Sequence, residues 1–324
     1  MKLRFFFIST LFILILRSYS QSWVTVNPIG SCTARGESAL ANIGNIIYLL
    51  GSRGIRPVDA YDTKNNTWHA MEKPPIELHH FQAITYKNEI WVLNAFTGGY
   101  PHEKPVDHIY IFNPKSDQWR LGDSIPNDRL RGSGGATLYK DKIYIFGGET
   151  DGHWDGNVAW LDAYDLRTKK WTVLADAPHA RDHVSVVIKD DKLYAAGGRR
   201  TNTKTNNVIN IKEASVDVYD IKSNTWITLP PSSNIPTQRA GAATVLYNNQ
   251  IILMGGESDA QVPAHSETES FDIKTFKWTK LSNMNQGRHG TGAVIFKNKI
   301  YIAGGAGNRG GGPELGSMET FVLK

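Results

Sequence analysis

Six tryptophans, Trp23, Trp68, Trp119, Trp171, Trp226 and Trp278, recur along the chain at intervals of 45, 51, 52, 55 and 52 residues. A fixed period near 50 residues built on strand-like segments is the signature of a repeat fold, and of a propeller in particular, because one such unit cannot bury its own faces alone. Every candidate functional residue is therefore placed by its phase in the repeat.

Four repeats carry a β-rich run that closes on two glycines: "KIYIFGG" to Gly148, "KLYAAGG" to Gly198, "QIILMGG" to Gly256 and "KIYIAGG" to Gly305. Two earlier repeats are degenerate. The first, "IIYLLGS", keeps Gly51 but has Ser52, and the second, "EIWVLNA", has neither glycine. After a variable loop, a second apolar run ends in an aromatic followed by an acid or amide: Tyr61-Asp62, Phe112-Asn113, Tyr164-Asp165, Tyr219-Asp220 and Phe271-Asp272. A tryptophan stands six residues after each acid or amide. Glycine suits crowded strand ends, and Asp or Asn suits the tight turn before the tryptophan strand.

In this di-glycine, spaced aromatic and tryptophan, the chain resembles the kelch-repeat family over nearly all of residues 21–324. The resemblance implies an all-β, six-bladed propeller forming a single domain. The C-terminal repeat ends at "METFVLK" without its tryptophan, whereas Trp23 has no di-glycine before it. The N-terminal strand is therefore expected to complete the last blade and leave no free sheet edge.

Residues 1–20 read differently. Lys2 and Arg4 precede an apolar stretch from Phe5 to Leu16, and Ser18-Tyr19-Ser20 offers a small-x-small cleavage site, so a signal peptide is expected. The mature chain should then be secreted or lie in the periplasm or cell envelope, with no membrane attachment, as a monomer. Asn65-Asn66-Thr67 would be a glycosylation sequon in a eukaryotic secretory pathway. Without Lys2, Arg4 and Arg17, 33 of the 36 basic residues remain against 31 acidic ones, a net charge of +2. There is no concentrated run of Lys and Arg, which argues against a nucleic-acid partner. The single cysteine, Cys32, permits no intramolecular disulfide.

A second register lies beneath the first. Counting back twelve residues from Ile47, Ile143, Leu193, Ile251 and Ile300, which begin the di-glycine strands, gives Arg35, Arg131, Arg181, Arg239 and Arg288. The second repeat has Leu78 there, followed by His79 and His80. In an antiparallel meander this position lies at the same end of the blade as the di-glycine, and loops 94–105, 149–160, 199–215, 257–266 and 306–317 leave from that end too. One face should thus combine long loops with arginines. An arginine-ringed central pocket would suit an anionic carbohydrate or an acidic protein segment, although an arginine at a strand start also caps carbonyls or pairs with an acid.

Around the arginines, His80 and His183 lie two residues after the ring position, Glu37 holds that phase in the first repeat, and His79 and His289 lie one residue after it. The candidate ligand-binding set is therefore Arg35, His79, His80, Arg131, Arg181, His183, Arg239, Arg288 and His289, with Glu37, His80 and His183 as candidate catalytic groups. Glu149 is a further loop carboxylate, and Phe96, Tyr100, Trp154 and Trp160 are loop aromatics able to stack on a sugar. Because the histidines come from different repeats and no local spacing such as HExxH occurs, no metal and no cofactor are expected. The family includes copper oxidases resembling galactose oxidase, but no tyrosine stands at the ring-plus-two phase and Cys32 lies three residues before Arg35, so that chemistry is not expected. The chain is also similar to exported kelch mutarotases acting on sialic acid, which implies cofactor-free proton transfer by histidine and carboxylate. A binding protein for an anionic ligand is the leading expectation, with a sugar epimerase or mutarotase as its enzymatic alternative.

Overall fold

The computed structural model of the chain describes residues 21–324. The expected signal peptide, residues 1–20, lies outside them. Six four-stranded antiparallel sheets form the blades. The innermost strands, in order, are Ala39–Ile43, Ile84–Tyr86, Gly135–Tyr139, Val186–Lys189, Ala243–Tyr247 and Ala293–Phe296, and each touches its two neighbours so that the ring closes. In the last blade, Trp23–Val26 pairs antiparallel with Met318–Val322, in the register Trp23 to Phe321. The two chain ends are thus joined through one sheet, as the orphan Trp23 implied.

The tryptophan period has a direct packing cause. On neighbouring strands each tryptophan faces the aromatic of its own blade, and the six ring pairs, from Tyr61–Trp68 to Trp23–Phe321, have centroids 4.9–5.3 Å apart. Such tilted pairs add about 0.5–1.5 kcal/mol beyond burial. The indole also ties blades together: Nε1 of Trp171, Trp226 and Trp278 donates to the carbonyls of Ser124, Ala175 and Ser233 in the preceding blade, and Trp23 donates to Thr268 Oγ1.

The arginine register has an equally direct cause, and it lies inside the blades. Each of the five guanidiniums donates to the carbonyl of the first residue of its own di-glycine, from Gly51 to Gly304. Each also pairs with a carboxylate on the third strand: Asp59, Asp162, Asp217, Glu269 or Glu319. The backbone carbonyls of Arg181, Arg239, Arg288 and Arg35 accept from the second glycine of the preceding blade, at 2.7–3.0 Å. Glycine is required at the first position because a Cβ on Gly147 would stand 2.3 Å from the Arg181 carbonyl oxygen, with φ at +66°. The carboxylate always stands two residues before the blade's aromatic. In blade 2, where Leu78 replaces arginine, that position holds Tyr110, and both residues join one apolar cluster.

Candidate functional site

The six residues at the ring-plus-two phase, Glu37, His80, Ser133, His183, Gly241 and Gly290, all have left-handed backbones, with φ between +48° and +63°. Their amides and carbonyls bond from blade to blade: His80 N to Glu37 O at 3.2 Å, Ser133 N to His80 O at 3.0 Å, His183 N to Ser133 O at 2.7 Å, Gly241 N to His183 O at 2.8 Å, and Gly290 N to Gly241 O at 3.0 Å. Ser38 N closes the circle on Gly290 O at 3.0 Å. Four non-glycine residues accept a sparsely populated conformation, so the cyclic bonding must hold them there. The circle crosses the propeller axis. On one side lies a cavity of about 110 Å³ lined by inner strands, to which only Glu37, His80 and His183 bring titratable groups.

On the other side lies a chamber of about 180 Å³. All six blade loops supply its wall: Arg53, Tyr100, His153, Arg199, Glu257 and Glu314 come from loops one to six in turn, and Glu37, His80, His183 and His289 form its floor. None of the five register arginines lines it. They are 0–4% exposed and committed to carbonyls and carboxylates, so the arginine-ringed pocket read from the sequence is replaced by an arginine lock within each blade. Nε of Arg181 and of Arg288 makes no hydrogen bond, but both residues are buried within their blades, so no register arginine presents a donor edge to a ligand.

The histidines do converge. Ring centroids of His80, His153 and His183 are 4.9, 5.0 and 5.1 Å apart, and all three side chains are buried. His153 comes from the tip of a small hairpin formed by Glu149–Asp151 and Asp155–Asn157. Its Nδ1 lies 2.8 Å from Glu103 Oε1, and Glu103 also pairs with Arg53 at 2.5 Å. His183 Nδ1 bonds to Asp182 and lies 2.9 Å from Ser133 Oγ, while its Nε2 lies 3.1 Å from Arg199 Nη2. Arg199 in turn pairs with Glu257.

Partners that can only donate or only accept assign the tautomers. Arg199 only donates, so His183 Nε2 carries the lone pair. His79 Nε2 is 3.2 Å from the Gly98 carbonyl, which only accepts, so Nε2 carries that ring's proton and Nδ1 its lone pair. His79 Nδ1 lies 2.6 Å from His80 Nδ1, which must then donate. The free lone pair of His80 is therefore on Nε2, which lies 3.2 Å from Glu37 Oε2. His289 Nε2 donates to the Asn308 carbonyl at 2.9 Å, leaving its Nδ1 lone pair buried without a hydrogen-bond partner, 3.8 Å from Glu37 Oε1.

Burial and neighbouring charges disfavour protonation of His79, His80 and His183. Burial, then Arg53, pushes His79 down to about 4. Burial, then the neighbouring histidines His79, His153 and His183, holds His80 well below its ordinary value, and burial followed by Arg199 lowers His183. Burial alone would raise the acids, but bonds from His153 and Arg53 outweigh it at Glu103, and His183 and Arg199 outweigh it at Asp182. At Glu149 burial, then Asp182, outweighs Arg199 and the Asn157 amide and raises the carboxyl well above its ordinary value. It lies outside the chamber lining.

Of the loop aromatics, Tyr100 alone lines the chamber. Phe96 is core, Trp154 lies 4.9 Å from the His102 ring, and Trp160 stacks under Arg129 at 4.1 Å. Cys32 is buried, with Sγ 3.2 Å from the Gly316 carbonyl. Sequence reasoning missed Arg53, Glu103, His153, Asp182, Arg199 and Glu257. They lie in loops or next to a register position, where the repeat gives them no phase to be read by; the one signal was their place in, or beside, the expected loop face.

Comparison with known proteins agrees with this architecture. Residues 83–305 match the KLHDC2/KLHL20/DRC7 Kelch-repeats domain. Kelch-like protein terF of Aspergillus terreus is 31% identical over 296 residues, 84% of this chain and 61% of that protein. Kelch-like protein 38 of Mus musculus is 27% identical over 266 residues, 81% of this chain and 42% of that protein. The chain thus spans less than two thirds of either relative. A solved structure, "Structure of YjhT", superposes with a TM-score of 0.74 at 16% identity, covering 89% of this chain and 95% of that one, a likeness of fold.

Proposed function

The chain belongs to the kelch-repeat family, and from that premise we propose that it is a sugar isomerase of the mutarotase or epimerase class, working in the axial chamber. The single observation that carries this reading is the face-to-face approach of Glu37 Oε2 and His80 Nε2 at 3.2 Å, with a lone pair on the nitrogen. In this reading the two groups hold one proton between them. Such a proton is available to a bound ligand.

Anomer exchange uses it as follows. The proton shared by Glu37 and His80 moves to the ring oxygen of the sugar as the bond from that oxygen to the anomeric carbon breaks. The His289 Nδ1 lone pair takes the proton of the anomeric hydroxyl, whose oxygen becomes the carbonyl. Rotation about the adjacent bond and reversal of both transfers give the other anomer and restore both groups. General acid–base assistance of this kind contributes about 10²–10⁴-fold. The chamber's 180 Å³ suits one monosaccharide, and Tyr100 offers a ring at its wall.

Among lining residues, Glu37, Glu257 and Glu314 outnumber Arg53 and Arg199, which favours a neutral sugar over an acidic one. A second reading, retention of an anionic carbohydrate or acidic protein segment without turnover, rests on Arg53, whose side chain is 35% exposed. Anomer exchange followed by NMR on neutral and acidic monosaccharides, with and without protein, tests the first reading. Acceleration of at least one sugar, lost in Glu37→Gln, supports it; no acceleration across the panel overturns it, and retention of an acidic ligand that Arg53→Ala abolishes would then favour the second.

A further inference from the structure

We infer that the same chamber holds one divalent d-block cation, zinc or a close neighbour of it, on the imidazoles of His80, His153 and His183. One ring nitrogen from each of the three lies within 4.8 Å of the other two. The hydrogen bonding decides which nitrogen. Nδ1 of His80 and of His183 is hydrogen-bonded on the far side of its ring, by His79 and Asp182, and Nδ1 of His153 lies 2.8 Å from Glu103 Oε1. The Nε2 atoms of His80 and His153 are left for the ion; that of His183 accepts from Arg199 at 3.1 Å, so binding requires this guanidinium to give way to the cation and keep its pair with Glu257. A ligating imidazole whose other nitrogen is held by a carboxylate or similar group is the usual second layer of a metal centre, because it fixes the tautomer and aims the ring.

Geometry and charge agree. A tetrahedral zinc site with bonds of about 2.0–2.1 Å has ligand-to-ligand edges of about 3.4 Å. Glu37 Oε2 already stands 3.2 Å from His80 Nε2, an edge length that admits it as fourth ligand, and the three nitrogens, within 4.8 Å of one another, must draw together on binding. Four carboxylates, Glu37, Glu103, Asp182 and Glu257, contact the cluster or its Arg199, against the two guanidiniums of Arg53 and Arg199. Among these fixed charges the balance is two negative in a buried site, which a divalent cation neutralises. Nitrogen-rich donors with one oxygen select zinc, cobalt or nickel over magnesium or calcium. The ligands come one each from three different blade units, which is why no local sequence spacing announces the site.

The ion would take the same His80 and Glu37 atoms that the isomerase reading gives to a proton, so the two readings compete at one site, and a readout of metal binding rather than turnover keeps the failure of one distinguishable from the failure of the other. Titration of the untagged chain with Co²⁺ should give one equivalent of visible d–d absorption, displaced by Zn²⁺ and untouched by Mg²⁺. His153→Ala should weaken binding at least 100-fold. Glu103→Gln, which preserves size and alters only the group behind His153, should weaken it about 10–100-fold. His69→Ala, an exposed histidine on the first blade's outer strand, should change nothing. Absence of the d–d band in the folded chain overturns the inference, as does displacement by Mg²⁺. Binding by Glu103→Gln equal to the parent's also overturns it, and this variant serves should His153→Ala fail to fold.

Discussion

Glu37 and His80 meet across 3.2 Å at the centre of the propeller, a carboxylate oxygen facing an imidazole nitrogen whose tautomer is set by His79 on the other side of the ring. Replacing the carboxylate by an amide separates the two consequences of that contact. In Glu37→Gln the amide N–H₂ donates to the His80 lone pair, so the contact is satisfied and the fold is unharmed. The transferable proton is gone. Anomer exchange should fall by about 10²-fold or more while the melting temperature holds or rises. NMR exchange rates beside a thermal melt check both halves; a fall in melting temperature as large as the loss of rate would make Glu37 a structural residue.

The arginine lock makes a different prediction. Arg239→Leu leaves the buried carboxylate of Glu269 without its partner and should cost about 3–5 kcal/mol. Adding Glu269→Tyr reproduces the Leu78 and Tyr110 pair of blade 2 and should recover most of that loss. Denaturant midpoints of the parent, single and double variants measure the cycle. Ligand retention by the double variant should equal the parent's, since neither residue reaches the chamber; impaired retention would return the arginines to the binding site.

That pair also shows how far the sequence could be read. The blade count, the closing strand at Trp23 and the ring-plus-two phase of Glu37, His80 and His183 are periodic, and periodic features survive as spacing because each blade solves the same packing problem. The arginines were visible by phase, but their partners were equally visible and went unread: an Asp or Glu two residues before the aromatic in five blades, absent in the blade that lacks arginine. Reading the two registers together places the charge inside the blade. The chamber walls are another matter. Arg53, Glu103, His153, Arg199 and Glu257 lie on loops of unequal length, and only the closed ring brings them within reach of one another.

Cys32 yields a pH prediction. Burial, then the nearby Asp59 carboxylate, pushes its thiol up from 9.0 to about 11. The reactive thiolate is therefore suppressed below about pH 11, where an exposed cysteine would already ionise near pH 8–9. Iodoacetamide at pH 8 should leave the folded chain unmodified over the time in which it fully alkylates the chain in denaturant. Mass spectrometry of both samples decides it, and rapid labelling of the native chain would show Cys32 to be accessible.

The last prediction concerns closure. Trp23 is 4% exposed, packs 5.3 Å from Phe321 and donates to Thr268 Oγ1 at 3.0 Å, so one side chain joins the N-terminal strand, the C-terminal strand and blade 5. Trp23→Ala removes a large buried aromatic at that junction and should cost about 3–5 kcal/mol. Deleting residues 21–26 goes further: it leaves Met318–Val322 as an open sheet edge with Phe321 uncovered, and an open apolar edge recruits other chains. The point variant should therefore unfold at lower denaturant as a single cooperative unit, whereas the deletion should aggregate. Equilibrium denaturation and light scattering distinguish these outcomes. A deletion variant that remains monodisperse with the parent's midpoint would mean that the ring is held by contacts among the inner strands alone, and that the sheet joining the two ends contributes little to its stability.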